Sequence, residues 1–321
     1  MPGRTESLNK EILHALTTGG KAAVARALGK IECTPDSEET VALLDAAYAA
    51  PVGHVVGITG PPGVGKSTLM SALIKHWRIK GRTVGVIAVD PSSRRTGGAL
   101  LGDRMRLSTN PEDSGLFVRS MAARDKLGGL AALTVSGMVL MRALYDIVLI
   151  ETVGVGQSET DIVSVADTVL FCIQPGSGDS LQFMKAGIVE IPHIMLVTKA
   201  DMGKPAVQAK ADVQIALSLG YESDSWQVPV LLVSSRARDN IEKTIATIDS
   251  HAAFLQARGL LSATRQTQAE QWLIAFIQER FGREGVRRVG HLSLAMGQSP
   301  FRRLQDALRI FCKTTQQRER V

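Results

Sequence analysis

HVVGITGPPGVGKSTLMSALIKHW, His54 to Trp77, reads as strand, loop and helix in immediate succession. The unbroken apolar run HVVGIT suits a strand buried on both faces, and STLMSALIKHW continues with helical periodicity. Between them GPPGVGKST fits GxxxxGK(S/T), whose glycines let backbone N–H groups approach phosphate oxygens while the helix N-terminus favours the anion. Gly60, Gly63 and Gly65 are those glycines, and Pro61, Pro62, Val64 and Thr68 complete the cradle. Lys66 is expected to reach the β- and γ-phosphates, and the Ser67 hydroxyl to ligate Mg²⁺. A glycine-rich turn without a ligand is the bland alternative; the full motif in its strand-loop-helix setting argues for a nucleoside triphosphate.

Outward from this stretch, as far as about Gln256, apolar runs alternate with helical segments: TVGVIAVD, DIVLIET, TVLFCIQ, IMLVTK and VPVLLVSS. Continuous Val/Ile/Leu runs separated by crossover lengths predict a doubly wound, mainly parallel α/β domain. Before it, residues 7–50 carry three apolar stripes, Leu8/Ile12/Leu16, Val24/Leu28/Ile31 and Val41/Leu44/Tyr48, broken at TTGG and TPDS. After Gly259 helical periodicity returns. Thr267 and Glu270 predict a capping box ahead of Trp272, Phe276 and Ile277, and Ser299-Pro300 predicts a helix start before Leu304, Leu308 and Phe311. The predicted division is an N-terminal helical segment 1–50, a central domain 51–257 and a C-terminal helical arm 258–321. The arm's apolar stripes can fold back on the main domain or form a dimer contact.

Composition narrows the functional classes. With 321 residues, 45% hydrophobic and 21% charged, the chain is expected to fold around a substantial core. Charges interrupt its most apolar segment at Arg142, Asp146 and Glu151, which argues against a membrane span, and no apolar leader opens the sequence; a cytoplasmic protein is expected. Cys33, Cys172 and Cys312 form neither a CxxC pair nor an even set, so packing is the expectation for Cys172. The net charge of +6 comes without interleaved aromatics, which make up only 4%, so nucleic acid is not the expected partner.

Two strands end in carboxylates, Asp90 after GVIAV and Glu151 after DIVLI. Parallel strands deliver their C-terminal ends to the edge that carries the phosphate loop, so both are expected near the metal, directly or through water. Glu151 also opens ETVG, a variant of DxxG whose glycine, here Gly154, senses a γ-phosphate; GVGQSE follows as a segment released on its loss.

LVTKAD, Leu196 to Asp201, ends a later strand on the same edge. A carboxylate offers only acceptors, which pair with guanine N1–H and the 2-amino group but face an acceptor in adenine, so Asp201 selects guanine. Lys199 can lay its methylene stem along the base. Thr198 stands where Asn is commonest: its hydroxyl can tie neighbouring backbone but lacks the reach of an amide. VSSR, containing Ser234, Ser235 and Arg236, ends the next strand and can add backbone contacts to the base.

Taken together, GPPGVGKST, VDPSSRRTGGALLGDRMR, ETVGVGQSE, PGSGDSLQFMKAGIVE and TKAD resemble the MeaB (ArgK) GTPases, which assist adenosylcobalamin-dependent acyl-CoA mutases. The resemblance implies a homodimeric P-loop GTPase, with GTP/GDP and Mg²⁺ as cofactors, a C-terminal dimerisation arm and an acyl-CoA mutase as partner. GTP hydrolysis would gate transfer of adenosylcobalamin from an adenosyltransferase, the cobalamin itself having no evident motif here. It further implies that Asp90 and Asp103 belong to the magnesium and switch region. Asp179, Gln182 and Lys185 would belong to a partner-facing switch, Lys185 neutralising developing phosphoryl charge. Ser180, Phe183, Ala186 and Thr198 depart from the family's usual residues and suggest a specialised paralogue.

The expected mechanism is in-line attack of water on the γ-phosphate, with Lys66 and the loop amides bearing charge. Gln157 does not directly follow Gly154 and is assigned to the switch rather than to the water. No arginine finger is evident in cis, so a slow, partner-stimulated rate is expected. A small-molecule kinase is the rival reading, separated by whether phosphate appears on an acceptor or free. A GTPase inserting another metal is a second, for which the six His and three Cys supply no ligand cluster. A nucleotide-dependent scaffold without catalysis is a third.

Overall fold

The computed structural model describes residues 2–91, 112–123, 132–152, 161–176, 191–218 and 225–318. It forms two compact units, one from residues 54–131 and 145–261, the other from residues 1–53, 132–144 and 262–321.

The first unit is built on a seven-stranded sheet: β1 (His54–Thr59), β2 (Val84–Pro91), β3 (Leu116–Ala123), β4 (Ile147–Glu151), β5 (Thr168–Ile173), β6 (Ile194–Val197) and β7 (Val230–Leu232). Their order is β3-β2-β4-β1-β5-β6-β7, and every pairing is parallel. This bears out the doubly wound reading. The chain steps outward from β1 to β2 and β3, returns to β4, then crosses to β5, so the strand order reverses around β1 and the ligand crevice belongs at the C-terminal ends there.

Six of the seven strands coincide with the apolar runs; β3, LFVRSMAA, does not. As an edge strand it needs only partial burial, and Arg119 and Ser120 interrupt its apolar character. It is held from outside: Arg78 makes paired bonds to Asp113 (2.8 and 2.7 Å), just before β3, and donates to the Arg82 carbonyl at 2.6 Å. Helix α4 (Lys66–Ile79) buries Leu69, Met70, Leu73, Ile74 and Trp77, the i, i+4, i+8 stripe that packs with Val56, Ile58, Val86 and Leu149. Helix α6 (Lys204–Ser218) packs Ala206, Ala209, Val213 and Leu217 against β6 and β7, and α7 (Ile241–Ala257) buries Ile241, Ile245 and Ile248.

The opposite, N-terminal edge of the sheet holds a buried histidine cluster. Thr168 Oγ1 lies 2.7 Å from His54 Nε2 and 2.8 Å from His251 Nδ1, while the His193 and His251 rings stack at 4.4 Å. Val169 N–H donates to His193 Nδ1 at 2.9 Å. Trp226 closes the group, its ring 4.8 Å from that of His251 and its indole N–H on the His193 carbonyl.

In the second unit, α1 (Pro2–Thr18), α2 (Gly20–Cys33), α3 (Glu38–Ala49) and α5 (Ala132–Leu144) join α8 (Leu260–Val289) and α9 (Pro300–Arg318). Ser37 caps α3 by accepting from Thr40 N–H at 3.2 Å. The predicted start at Ser299 is observed: its hydroxyl accepts from Phe301 N–H and donates to Asp45. The predicted capping box is not. Thr267 and Glu270 lie inside α8, because Gly259 (φ 65°) ends α7 in the left-handed conformation and the chain re-enters helix at Leu260. Glu270 instead accepts from Leu294 N–H at 2.8 Å. Gly282 (φ 67°) kinks the same helix.

Candidate functional site

β1 ends at Thr59 and the chain turns into the glycine-rich loop. Gly60 has φ 133°, and a Cβ there would lie 2.2 Å from the Cys172 carbonyl oxygen, so only glycine lets the loop close over the end of β5. Gly63 (φ 75°) and Gly65 (φ 98°) make the remaining left-handed turns, and α4 begins at Lys66. Lys66 is 7% exposed, and its amine donates to the Gly60 and Pro61 carbonyls at 2.6 and 3.1 Å, lying across the cradle whose phosphates it is expected to meet. Burial pushes the Cys172 thiol up to about 12, which makes it a packing group.

Ser67 and Glu151 meet. The hydroxyl donates to Glu151 Oε1 at 2.8 Å, although the two residues are 84 apart in sequence. The parallel register of β1 and β4, Ile58 opposite Glu151, places that carboxylate beside the loop. Asp90 is the penultimate residue of β2, its backbone opposite Ala122 of β3; its side chain is outside the description. Asp103, Gly154, Gln157, Asp179, Gln182 and Lys185 lie outside the described residues. Among the described residues there is no group of three or more His, Cys, Asp or Glu side chains placed to hold a metal, and no helix long and apolar enough to cross a membrane.

The TKAD segment lies at the end of β6. Thr198 is buried, and its hydroxyl lies 2.7 Å from the Val64 carbonyl of the phosphate loop and 2.9 Å from that of Ile173 at the end of β5. Its reach therefore extends to the loop itself, farther than a tie to neighbouring backbone. Lys199 takes the left-handed conformation (φ 53°), and its amine donates to Gln174 Oε1 just beyond β5. Gln174 was not legible as a site residue, because it reads only as the polar end of TVLFCIQ.

Asp201 is exposed, with Oδ1 accepting from the Ser234 hydroxyl at 2.6 Å. That bond, followed by a backbone one, holds its carboxyl below the usual range and keeps it an acceptor. Ser234 is buried and also accepts from Ala237 N–H at 3.1 Å, so it orients Asp201 from beneath. Ser235 is half-buried and Arg236 exposed in the turn that follows.

A glycine-rich loop at the strand-order reversal, with an acidic side chain on its serine and the TKAD segment bonded to its backbone, defines a P-loop nucleotide-binding α/β protein. Comparison with known proteins gives its family. The profile of the methylmalonyl-CoA mutase-associated GTPase MeaB matches residues 24–287, and the chain belongs to that family. It is 41% identical over 265 residues to a Pyrococcus horikoshii protein to which GTPase activity is ascribed, covering 81% of this chain and 83% of that one. It is 34% identical over 282 residues to the GTPase ArgK of Escherichia coli, covering 84% and 83%. The crystal structure of a protein titled LAO/AO transport system kinase superposes with a TM-score of 0.67 at 26% identity, covering 94% of this chain and 98% of that one. Family membership supports GTP binding and hydrolysis and bears out the resemblance read from the motifs.

Proposed function

We propose that the chain is a Mg²⁺-dependent GTPase whose nucleotide cycle gates adenosylcobalamin delivery to a cobalamin-dependent acyl-CoA mutase of the methylmalonyl-, isobutyryl- or hydroxyisobutyryl-CoA type, and rejects inactive cofactor. The family's association with methylmalonyl-CoA mutase supports the partner class. The single observation that supports this reading of the site is the Thr198 hydroxyl on the Val64 carbonyl, a bond between the TKAD segment and the glycine-rich loop.

The Ser67 hydroxyl and Glu151 carboxylate, 2.8 Å apart, are hard oxygen donors of the kind that suits Mg²⁺. With Asp90 and Asp103 they would hold the ion, which when bound neutralises charge on the β- and γ-phosphate oxygens. The amides of Gly60, Gly63 and Gly65 and the Lys66 amine cradle those oxygens. Asp201 accepts from guanine N1–H and the 2-amino group, Lys199 covers the base plane, and Ser235 and Arg236 supply backbone contacts. Gly154 senses the γ-phosphate; Gln157, Asp179, Gln182 and Lys185 form the partner-facing switches, and Lys185 adds positive charge once a partner orders it. The free protein hydrolyses slowly, and a dimer forms through the arm 258–321. Ser180, Phe183, Ala186 and Thr198 mark a specialised paralogue, and an adenosyltransferase is the donor of the cofactor.

The test is the rate of phosphate release from GTP with and without a panel of cobalamin-dependent mutases, with Lys66→Ala as control. One mutase is expected to raise the rate well above the others. A fast basal rate unmoved by every mutase would sink partner gating, equal stimulation by methylmalonyl-CoA mutase and any other would sink the specialised role, and phosphate transferred to an acceptor would favour the kinase.

A further inference from the structure

A buried pair of threonines joins the phosphate loop to the start of ETVG. Thr59 is the last residue of β1, directly before Gly60, and Thr152 directly follows Glu151; they are 0% and 2% exposed. The Thr152 hydroxyl donates to the Thr59 hydroxyl at 3.0 Å, and Thr152 N–H reaches the Ile58 carbonyl at 3.3 Å. These bonds extend the β1–β4 ladder one step past its last registered pair, Ile58 opposite Glu151. One residue to either side lie Gly60, closed onto Cys172, and Glu151, bonded to Ser67.

We infer that Thr152 is a positioning residue for the metal: its hydroxyl, clasped to Thr59, fixes the exit of β4 so that the Glu151 carboxylate stays aimed at Ser67. The inference rests on the reading of Ser67 and Glu151 as magnesium ligands. Glu151 is laddered on both sides, opposite Ile58 of β1 and Ala88 of β2, but the registered pairing stops there, so the course of the chain beyond it is held by the next residue. Here that residue spends its one side-chain polar group on the strand that carries the phosphate loop. Groups that orient a metal ligand from behind typically change metal affinity by about 10–100-fold when removed; acting through backbone, Thr152 belongs at or below the low end.

The experiment is a Mg²⁺ titration of the full chain with a methylanthraniloyl-labelled GDP, read by fluorescence, alongside melting curves. Thr152→Val is expected to raise the half-saturating Mg²⁺ concentration about 5–10-fold, and Thr152→Ser to stay within about twofold of the parent. Thr152→Val strands a buried hydroxyl, so the double variant Thr59→Val/Thr152→Val is included: replacing both partners by apolar groups of like shape restores melting. It should nevertheless keep the raised Mg²⁺ requirement. A double variant that melts like the parent and also titrates like it would show the pair to be packing alone and overturn the proposal. A parent whose nucleotide binding ignores Mg²⁺ would overturn the magnesium reading beneath it, a separate and recognisable failure.

Discussion

Acidification should destabilise the sheet unit from the edge opposite the nucleotide. His251 is buried and His193 partly so, their rings stacked, and the loss of solvent around them, the largest cause for both, depresses them from 6.5 to about 3 and about 4. The geometry agrees for His193, whose Nδ1 accepts from Val169 N–H and so presents a lone pair. Asp167, whose Oδ2 accepts from Val55 N–H and lies 3.7 Å from His54 Nδ1, only partly offsets the burial. Because the folded values lie below the unfolded one, the unfolded chain binds protons that the folded chain refuses. The stability is whole above about pH 6.5 and drains away as pH falls toward the folded values.

At about pH 5, some 1.5 units below the unfolded value at about 1.4 kcal/mol per unit, each histidine forfeits roughly 2 kcal/mol. The two together remove about 4 kcal/mol, a large part of the roughly 5–15 that a folded chain holds. Glu38 and Asp201 do not share this window, because both are held below their ordinary values and lose their partners only at lower pH. Urea unfolding followed at Trp226 should therefore show stability falling between about pH 6 and pH 5 by about 2.7 kcal/mol per unit, halved in His251→Phe. A stability that changes by less than about 1 kcal/mol between pH 7.5 and 5, or a His251→Phe chain with the full slope, refutes the reasoning.

Gly60→Ala forces a side chain against the Cys172 carbonyl at a φ of 133°, and should abolish nucleotide binding, checked by equilibrium dialysis with GDP. Thr198→Val leaves the Val64 carbonyl without its buried donor and should weaken GDP about tenfold, while Thr198→Ser holds it within about threefold. Asp201→Asn replaces an acceptor with an amide and should favour xanthosine over guanosine nucleotides by on the order of a hundredfold, read by competition. Ser234→Ala, by removing the largest cause of the lowered Asp201 carboxyl, should shift the acid limb of GDP binding to higher pH.

Most of the fold was legible because strands buried on both faces announce themselves: IVLIE, TVLFCI and IMLV are wholly buried and apolar but for Glu151 and Thr168 at their ends. β3 escaped because an edge strand is not obliged to be apolar throughout. The start of α8 escaped because a left-handed glycine outranked a side-chain cap eight residues later. At the site, motif spacing located the loop, Glu151 and Asp201, but said nothing of what they touch. Thr198 shows why: the hydroxyl's partner is 134 residues away, and only the order β1-β5-β6 brings the two ends together. The histidine cluster was invisible for the same reason, since His54, Thr168, His193 and His251 each come from a different element and look, one by one, like isolated polar residues.

The strand order also explains why the phosphate loop needs so little of its own. It is gripped from both sides by the ends of other strands: β5 through the Cys172 carbonyl against Gly60, β6 through Thr198 on Val64, and β4 through Glu151 on Ser67 and Thr152 on Thr59. Three of these contacts are hydrogen bonds from or to side chains that stand at, or within one residue of, a strand end, where the parallel ladder stops and backbone groups would otherwise seek water. The Thr198 hydroxyl does two things at once, bonding the Ile173 carbonyl at a strand end and the Val64 carbonyl of the loop, while the other two tie side chains of the loop and of its preceding strand to β4. A displacement of any one end must move the loop, and the loop's motion must be felt at the other two. On the function proposed above, base recognition, metal binding and phosphate binding would be coupled through these strand ends. Changes at Thr198 or Thr152 should accordingly alter phosphate and metal affinity even though neither side chain is needed to touch the nucleotide.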